Sequence, residues 1–132
     1  MRTANAFLAS DVLVVGNRRW NRRGAMVTDR YQHVHHLPTP ADLAAWAGER
    51  ELTVVAVDNL PGAVPLETLA LPRRCVLVFG QEGTGISDGV REVAAVTTSI
   101  AQYGSTRSVN AGVAAGIAMH AWVRQHAGPP PD

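Results

Sequence analysis

The chain has 132 residues, is 46% hydrophobic and carries a net charge of +1, which describes one globular domain with room for a real core. No apolar run reaches the roughly 18 residues of a membrane-spanning helix, no basic-then-apolar stretch ending in a small-residue cleavage site is read in these residues, and the single Cys75 forms no internal disulfide. A cytoplasmic protein with a buried thiol is expected, and its near-neutral charge excludes a global electrostatic pull toward nucleic acid.

In chain order, residues 2–7 (Arg2-Thr-Ala-Asn-Ala-Phe7) read as the back end of an amphipathic helix, followed by a short buried strand from Asp11 to Gly16. Thr39 as N-cap and Pro40 at the first helical position open a helix with Leu43, Ala44 and Trp46 on its apolar face, ended by Gly48. A second strand runs from Leu52 to Val57, and a turn-rich connection from Pro61 to Pro72. Cys75 to Phe79 is a third strand, apolar throughout, as in a sheet covered on both faces. Ser87 caps a short helix reaching Val93, Ala95 to Ile100 is a fourth strand, and Ser108 caps a long final helix to His126. Residues 128–132 (Gly-Pro-Pro-Pro-Asp) form a disordered tail, leaving residues 1–127 as the domain. Alternating strands and helices predict an α/β fold on a parallel sheet.

Three segments carry chemistry. All 12 basic residues are Arg, and Arg18, Arg19, Arg22 and Arg23 surround Trp20 and Asn21. Arg forks bind phosphate and Trp offers a stacking face, so this is the candidate RNA contact; the alternative is a solvated loop. Gly80-Gln-Glu-Gly83-Thr-Gly85 lacks the Lys of a phosphate-binding P-loop and the spacing of a dinucleotide fingerprint. Its glycines allow close backbone approach, and Glu82 either binds a cationic or hydroxyl-bearing group or caps the next helix. The final helix has Ala111, Gly112, Ala114, Ala115, Gly116 and Ala118, and two glycines at about 1 kcal/mol each imply tight packing. Asn110 stands in its first turn by this reading. His33, His35 and His36 form a cluster, with His33 and His35 on one strand face, but no carboxylate or Cys pattern accompanies them and no metal is expected.

The pair Leu77-Val-Phe-Gly-Gln-Glu-Gly-Thr-Gly-Ile-Ser87 and Ile100-x-x-x-Gly104-x-x-x-Ser108-Val-Asn110-Ala-x-Val-Ala-Ala-Gly-Ile117 closely resembles motifs two and three of the SpoU-type RNA 2′-O-ribose methyltransferases of the SPOUT superfamily. Arg2-Thr-Ala-x-Ala-Phe7 looks like the end of motif one, so the resemblance spans essentially the whole chain. It implies a parallel α/β sheet with a C-terminal trefoil knot, a homodimer, and bent S-adenosylmethionine bound in the knot. Backbone groups near Val57, Gly80, Ile100 and Val109 would hold the cofactor, Gly85 and Gly104 would let the loops close, and Gln102 would add a hydrogen-bonding group. Arg2 matches the arginine that orients the ribose 2′-hydroxyl, and Glu82, Ser108 and Asn110 match the polar residues that position cofactor, substrate and Arg. The partner would be tRNA or rRNA; this methyl transfer needs no metal.

The chain departs from the family pattern in three places. Ala101-Gln102 replaces the usual Pro-Met, and Val109-Asn110-Ala111-Gly112 is a variant of Leu-Asn-Val-Ser. The family's strand and motif-one Asn ahead of Arg2 are not in the sequence. The expectation is an N-terminally truncated fold, begun about twenty residues late, with an unpaired sheet edge and an incomplete site. A catalytically inactive, RNA- or cofactor-binding dimer is therefore the alternative to an active enzyme. A nucleotide-binding module of another class lacks both the Lys and the dinucleotide pattern it would need.

Overall fold

The computed structural model describes residues 4, 6–7, 9–16, 33–80, 85–105 and 109–129. Helical residues Ala4 and Ala6 lead into β1 (Asp11–Val15). There follow β2 (His33–Leu37), α1 (Pro40–Glu49), β3 (Thr53–Val57), β4 (Val64–Pro65), β5 (Cys75–Phe79), α2 (Asp88–Val93), β6 (Val96–Ser99) and α3 (Ala111–His126). Every strand pairing among them is parallel.

The core is organised around β3, which lies between β5 and β6 in a sheet of order β4-β6-β3-β5. Side chains alternate across a strand, so its apolar run serves two faces. Val55 and Val57 pack with Leu66, Leu71 and Ala118, with Trp122 of α3 against them. On the opposite face Val54 packs with Leu43 and Ala47 of α1, and Ala56 with Ile86 and Val90 of α2. At about 1.5–3 kcal/mol for each fully buried aliphatic side chain, this double-faced strand is the main source of cohesion.

Local chemistry sets the helix starts. The Thr39 hydroxyl accepts from the Asp42 amide at 3.2 Å while the Asp42 carboxylate accepts from the Thr39 amide at 3.0 Å, a reciprocal cap behind Pro40. The Ser87 hydroxyl accepts from the Val90 amide at 3.3 Å and starts α2 as expected. The last helix differs from the sequence reading: it starts at Ala111, and its N-cap is Asn110, not Ser108. The Asn110 carbonyl oxygen reaches two amides, Gly112 at 2.8 Å and Val113 at 3.2 Å. The far end of α3 is tied to the connection before β5: Gln125 bonds Leu71 N at 2.8 Å and Leu69 O at 3.2 Å, and Trp122 donates to Arg73 O at 3.0 Å.

One strand escaped the sequence reading and another entered it only as the strand face shared by His33 and His35. That second one is β2, His-Val-His-His-Leu, with little apolar alternation; the missed one is β4, two residues inside a proline-rich connection. The expected single sheet is also divided. β1 and β2 form a separate two-stranded sheet, and no described strand bridges β1 and β5. Both of those edges line one cavity of about 930 Å³, with Val12, Leu13 and Val15 on one side and residues 75–79 on the other.

Candidate functional site

Parallel pairing brings three strand ends together. Val57 stands opposite Phe79 of β5 and Thr98 of β6, so residues 58, 80 and 99–100 leave the sheet at one edge, where open α/β sheets bind ligands. Two glycines interlock there. A Cβ on Gly80 would overlap the carbonyl carbon of Gly85 and the amide of Ile86, so only glycine permits this approach. Gly85 has φ +69°, and a Cβ on it would sit 2.7 Å from the Asp58 carboxylate.

Asp58 is the site residue that sequence reasoning missed. Its Oδ2 accepts from the Ile86 amide at 3.1 Å, its Oδ1 from the Asn59 amide at 2.8 Å, and its own amide donates to Thr98 O at 2.9 Å. The only signal in the sequence was a carboxylate placed directly after an apolar strand.

The loop after β6 is fixed from below. Thr98 is fully buried and donates its hydroxyl to Val64 O at 2.7 Å, and Ile100 packs against the Val55 cluster. The Ala101 amide donates to Glu67 at 2.8 Å. Among the described residues the Gln102 side-chain oxygen is buried without a hydrogen-bond partner. Such an acceptor costs about 1–3 kcal/mol unless a ligand or water supplies a donor. Val109, Val113 and Ile117 are exposed at 37%, 53% and 40%; Val113 and Ile117 lie one turn apart on α3, and Val109 just ahead of its N-cap.

The structure thus gathers Val57, Gly80, Gly85 and Ile100 at one edge, with Gln102 on the loop that follows. Of the candidates, the 930 Å³ cavity touches Gly80 and Gly85, together with Gly112 and Ala115 of α3, but not Val57, Ile100, Gln102 or Val109. It is mainly the slot between the two sheet edges. Arg2, Glu82, Ser108 and the arginines Arg18, Arg19, Arg22 and Arg23 lie outside the described residues. Gly104 has open space where a Cβ would be, so nothing among the described residues demands glycine there.

Away from this edge, His35 donates from Nε2 to Asp11 at 2.8 Å and its ring lies 5.4 Å from that of Trp46. Burial raises the Asp11 carboxyl, but hydrogen bonds from His35 and Ser10 and the charges of His35 and His33 outweigh it and hold the group below its ordinary value. Among the described residues no three His, Cys, Asp or Glu side chains converge as a metal site. Cys75 is half-buried, and burial pushes its thiol up, away from reactivity. No helix among the described residues is long and apolar enough to cross a membrane.

Comparison with known proteins matches residues 1–120 to the SpoU rRNA Methylase family. An uncharacterized tRNA/rRNA methyltransferase of Mycobacterium sp. (strain KMS) is 40% identical over 83 residues, covering 63% of this chain and 26% of that protein. The chain therefore spans about a quarter of the length of that curated relative. Among solved structures, the SpoU methyltransferase AviRb of Streptomyces viridochromogenes, in complex with AdoMet, superposes with a TM-score of 0.85 at 25% identity, over 94% of this chain and 50% of that one. An AdoMet-bound rRNA methyltransferase of Sinorhizobium meliloti gives 0.82 at 27% identity, over 95% and 49%.

Proposed function

The chain belongs to the SpoU rRNA methylase family, and from that premise we propose that it transfers a methyl group from S-adenosylmethionine to a ribose 2′-hydroxyl of tRNA or rRNA. The observation that carries this reading is the interlocked glycine turn at the ends of β3, β5 and β6, with the unpaired Gln102 acceptor on the next loop. These residues fit the cofactor. Close-packed backbone at Gly80 and Gly85 offers amides and carbonyls to a polar ligand, and a buried acceptor suits an amino donor.

Val57, Gly80, Gly85, Ile100, Gln102 and Val109 would hold S-adenosylmethionine, which supplies an electrophilic methyl when bound. The remaining task is to align the acceptor hydroxyl and exclude water. Arg2 is always protonated, so its role is to orient the 2′-hydroxyl or an adjacent phosphate and to stabilise negative charge on the oxygen. Glu82 and Ser108 would position Arg2 and the ligands. Asn110, whose carbonyl oxygen caps α3, would do so through its amide nitrogen.

Arg18, Arg19, Arg22 and Arg23 would grip the RNA backbone, and the site of action would be cytoplasmic. The functional unit would be a homodimer with a trefoil knot around α3. The exposed pair Val113 and Ile117, with Val109 just ahead of the helix, supports a dimer face, because exposed apolar patches mark contact surfaces.

A second reading, cofactor or RNA binding without methyl transfer, is favoured by the divided sheet, whose open β1 and β5 edges adjoin Gly80 and Gly85. One experiment separates the two. The chain is titrated with S-adenosylmethionine by calorimetry, then incubated with methyl-labelled cofactor and total RNA, and the RNA is hydrolysed in alkali. A 2′-O-methyl removes the nucleophile that cleaves the backbone, so label in alkali-resistant dinucleotides establishes the activity. Binding without label establishes the second reading. No cofactor binding overturns the first reading, and no binding of cofactor or RNA overturns both.

A further inference from the structure

We propose that Asp58 is the positioning residue of the cofactor cleft, holding the Gly85–Ile86 turn in its binding shape through the Ile86 amide. This inference rests on the reading of the cleft given above. Asp58 ties β3 to β6 and to the turn that follows β5: it continues β3, its amide donates to Thr98 of β6 at 2.9 Å, and its carboxylate receives the Ile86 amide at 3.1 Å. The Asn59 amide on the second oxygen, at 2.8 Å, fixes the carboxylate orientation.

The turn is held from both sides. Below it, the Ile86 side chain is buried with Ala56 and Val90. Above it, the carboxylate occupies the place where a Gly85 side chain would go, which explains why glycine stands there as well as the positive φ. Gly80 meets Gly85 backbone to backbone, so the clamp also bears on the end of β5. No cation pairs with Asp58 among the described residues. Its duty at the turn is therefore to accept the Ile86 hydrogen bond, which the single oxygen of an amide can do while the exposed Asn59 amide turns to water.

The test compares wild type, Asp58→Ala and Asp58→Asn by calorimetric titration with S-adenosylmethionine, by hydrogen exchange at the Ile86 amide without ligand, and by thermal melting. D58A is expected to speed Ile86 exchange and weaken binding, each by roughly tenfold, and D58N to restore both to within roughly threefold. A merely structural role would move the melting temperature and leave no rescue specific to binding. The proposal is overturned if D58A binds like wild type, or if D58N binds as weakly as D58A, since the charge itself would then contact the ligand. Should D58A not fold, a tenfold loss in D58N has the same force. If wild type binds no S-adenosylmethionine, the functional reading fails, while the Ile86 exchange rates still decide whether Asp58 clamps the turn.

Discussion

Gly80→Ala tests the interlocked turn directly. The added methyl would overlap the Gly85 carbonyl carbon and the Ile86 amide, which are backbone atoms and cannot rotate away as a side-chain tip could. Relief requires the turn to shift against the Asp58 hydrogen bond and the buried Ile86 side chain. Overpacking of this kind costs about 1–3 kcal/mol, offset by about 0.4–1 kcal/mol because alanine restricts the unfolded chain. A net loss of about 1–2 kcal/mol, against an unfolding entropy of about 2.1 cal/mol/K per residue over the chain, lowers the melting temperature by about 4–7 °C. Gly104→Ala is the matched control, because open space surrounds that position and its φ lies outside the left-handed region. It is expected to melt with wild type or slightly above. The assay is thermal melting by circular dichroism, followed by S-adenosylmethionine titration. G80A is expected to bind more weakly because its turn has moved, whereas a G104A variant of normal stability that binds more weakly would show that the ligand approaches that backbone. A G80A variant that melts with or above G104A would refute the close approach.

Four further outcomes are expected. Gln102→Leu removes a buried unpaired acceptor, so the free protein should melt at or above wild type by up to about 1 kcal/mol while cofactor affinity falls; unchanged affinity would exclude the Gln102 oxygen from the ligand's surroundings. Asp11→Asn should destabilise at neutral pH: the folded carboxyl is held below its ordinary value, so its contribution is present above about pH 4 and fades as pH falls through the folded value. The gap between the two proteins should therefore close in acid, and a gap independent of pH would assign the loss to packing. Val113→Glu combined with Ile117→Glu should leave a monomer in light scattering after size exclusion if the exposed pair is the dimer face; an unchanged mass would locate the interface elsewhere. Replacing Arg22 and Arg23 should weaken RNA binding and flatten its dependence on log salt by about 0.7–0.9 for each phosphate the protein no longer neutralises, and an unchanged slope would remove that loop from the interface.

What was legible in the sequence follows from where the determining forces act. Apolar runs and caps are local, so β3, β5, the Thr39 and Ser87 starts and the parallel α/β class could be read directly. The α3 start was misplaced because Ser108 and Asn110 are both good caps by residue type, and only the backbone path decides which one reaches the first amides. β2 was read only as a strand face for its histidines, because what fixes it as a strand is its pairing with β1 and the Asp11–His35 bond across them, a contact between residues 24 apart. The division of the sheet was legible only in part, as an expected open edge. Propensity cannot say that the opening falls between β1 and β5, since that depends on strand order.

The candidate site divides along the same line. Its glycines could be recognised by spacing, but the reasons for them could not. Gly80 is required by Gly85, and Gly85 by the carboxylate of Asp58, some 27 residues away in sequence. A cleft built from backbone places few demands on side-chain identity, which is why Asp58 attracted no notice and why Ala101-Gln102 can replace the family's usual pair. The same economy makes Gln102 informative. In a site where backbone groups would do most of the holding, a buried side-chain acceptor without a partner serves neither the core nor the surface. If its cost is recovered when a ligand donor arrives, its replacement should separate stability from binding, where replacement of a core residue would lower both.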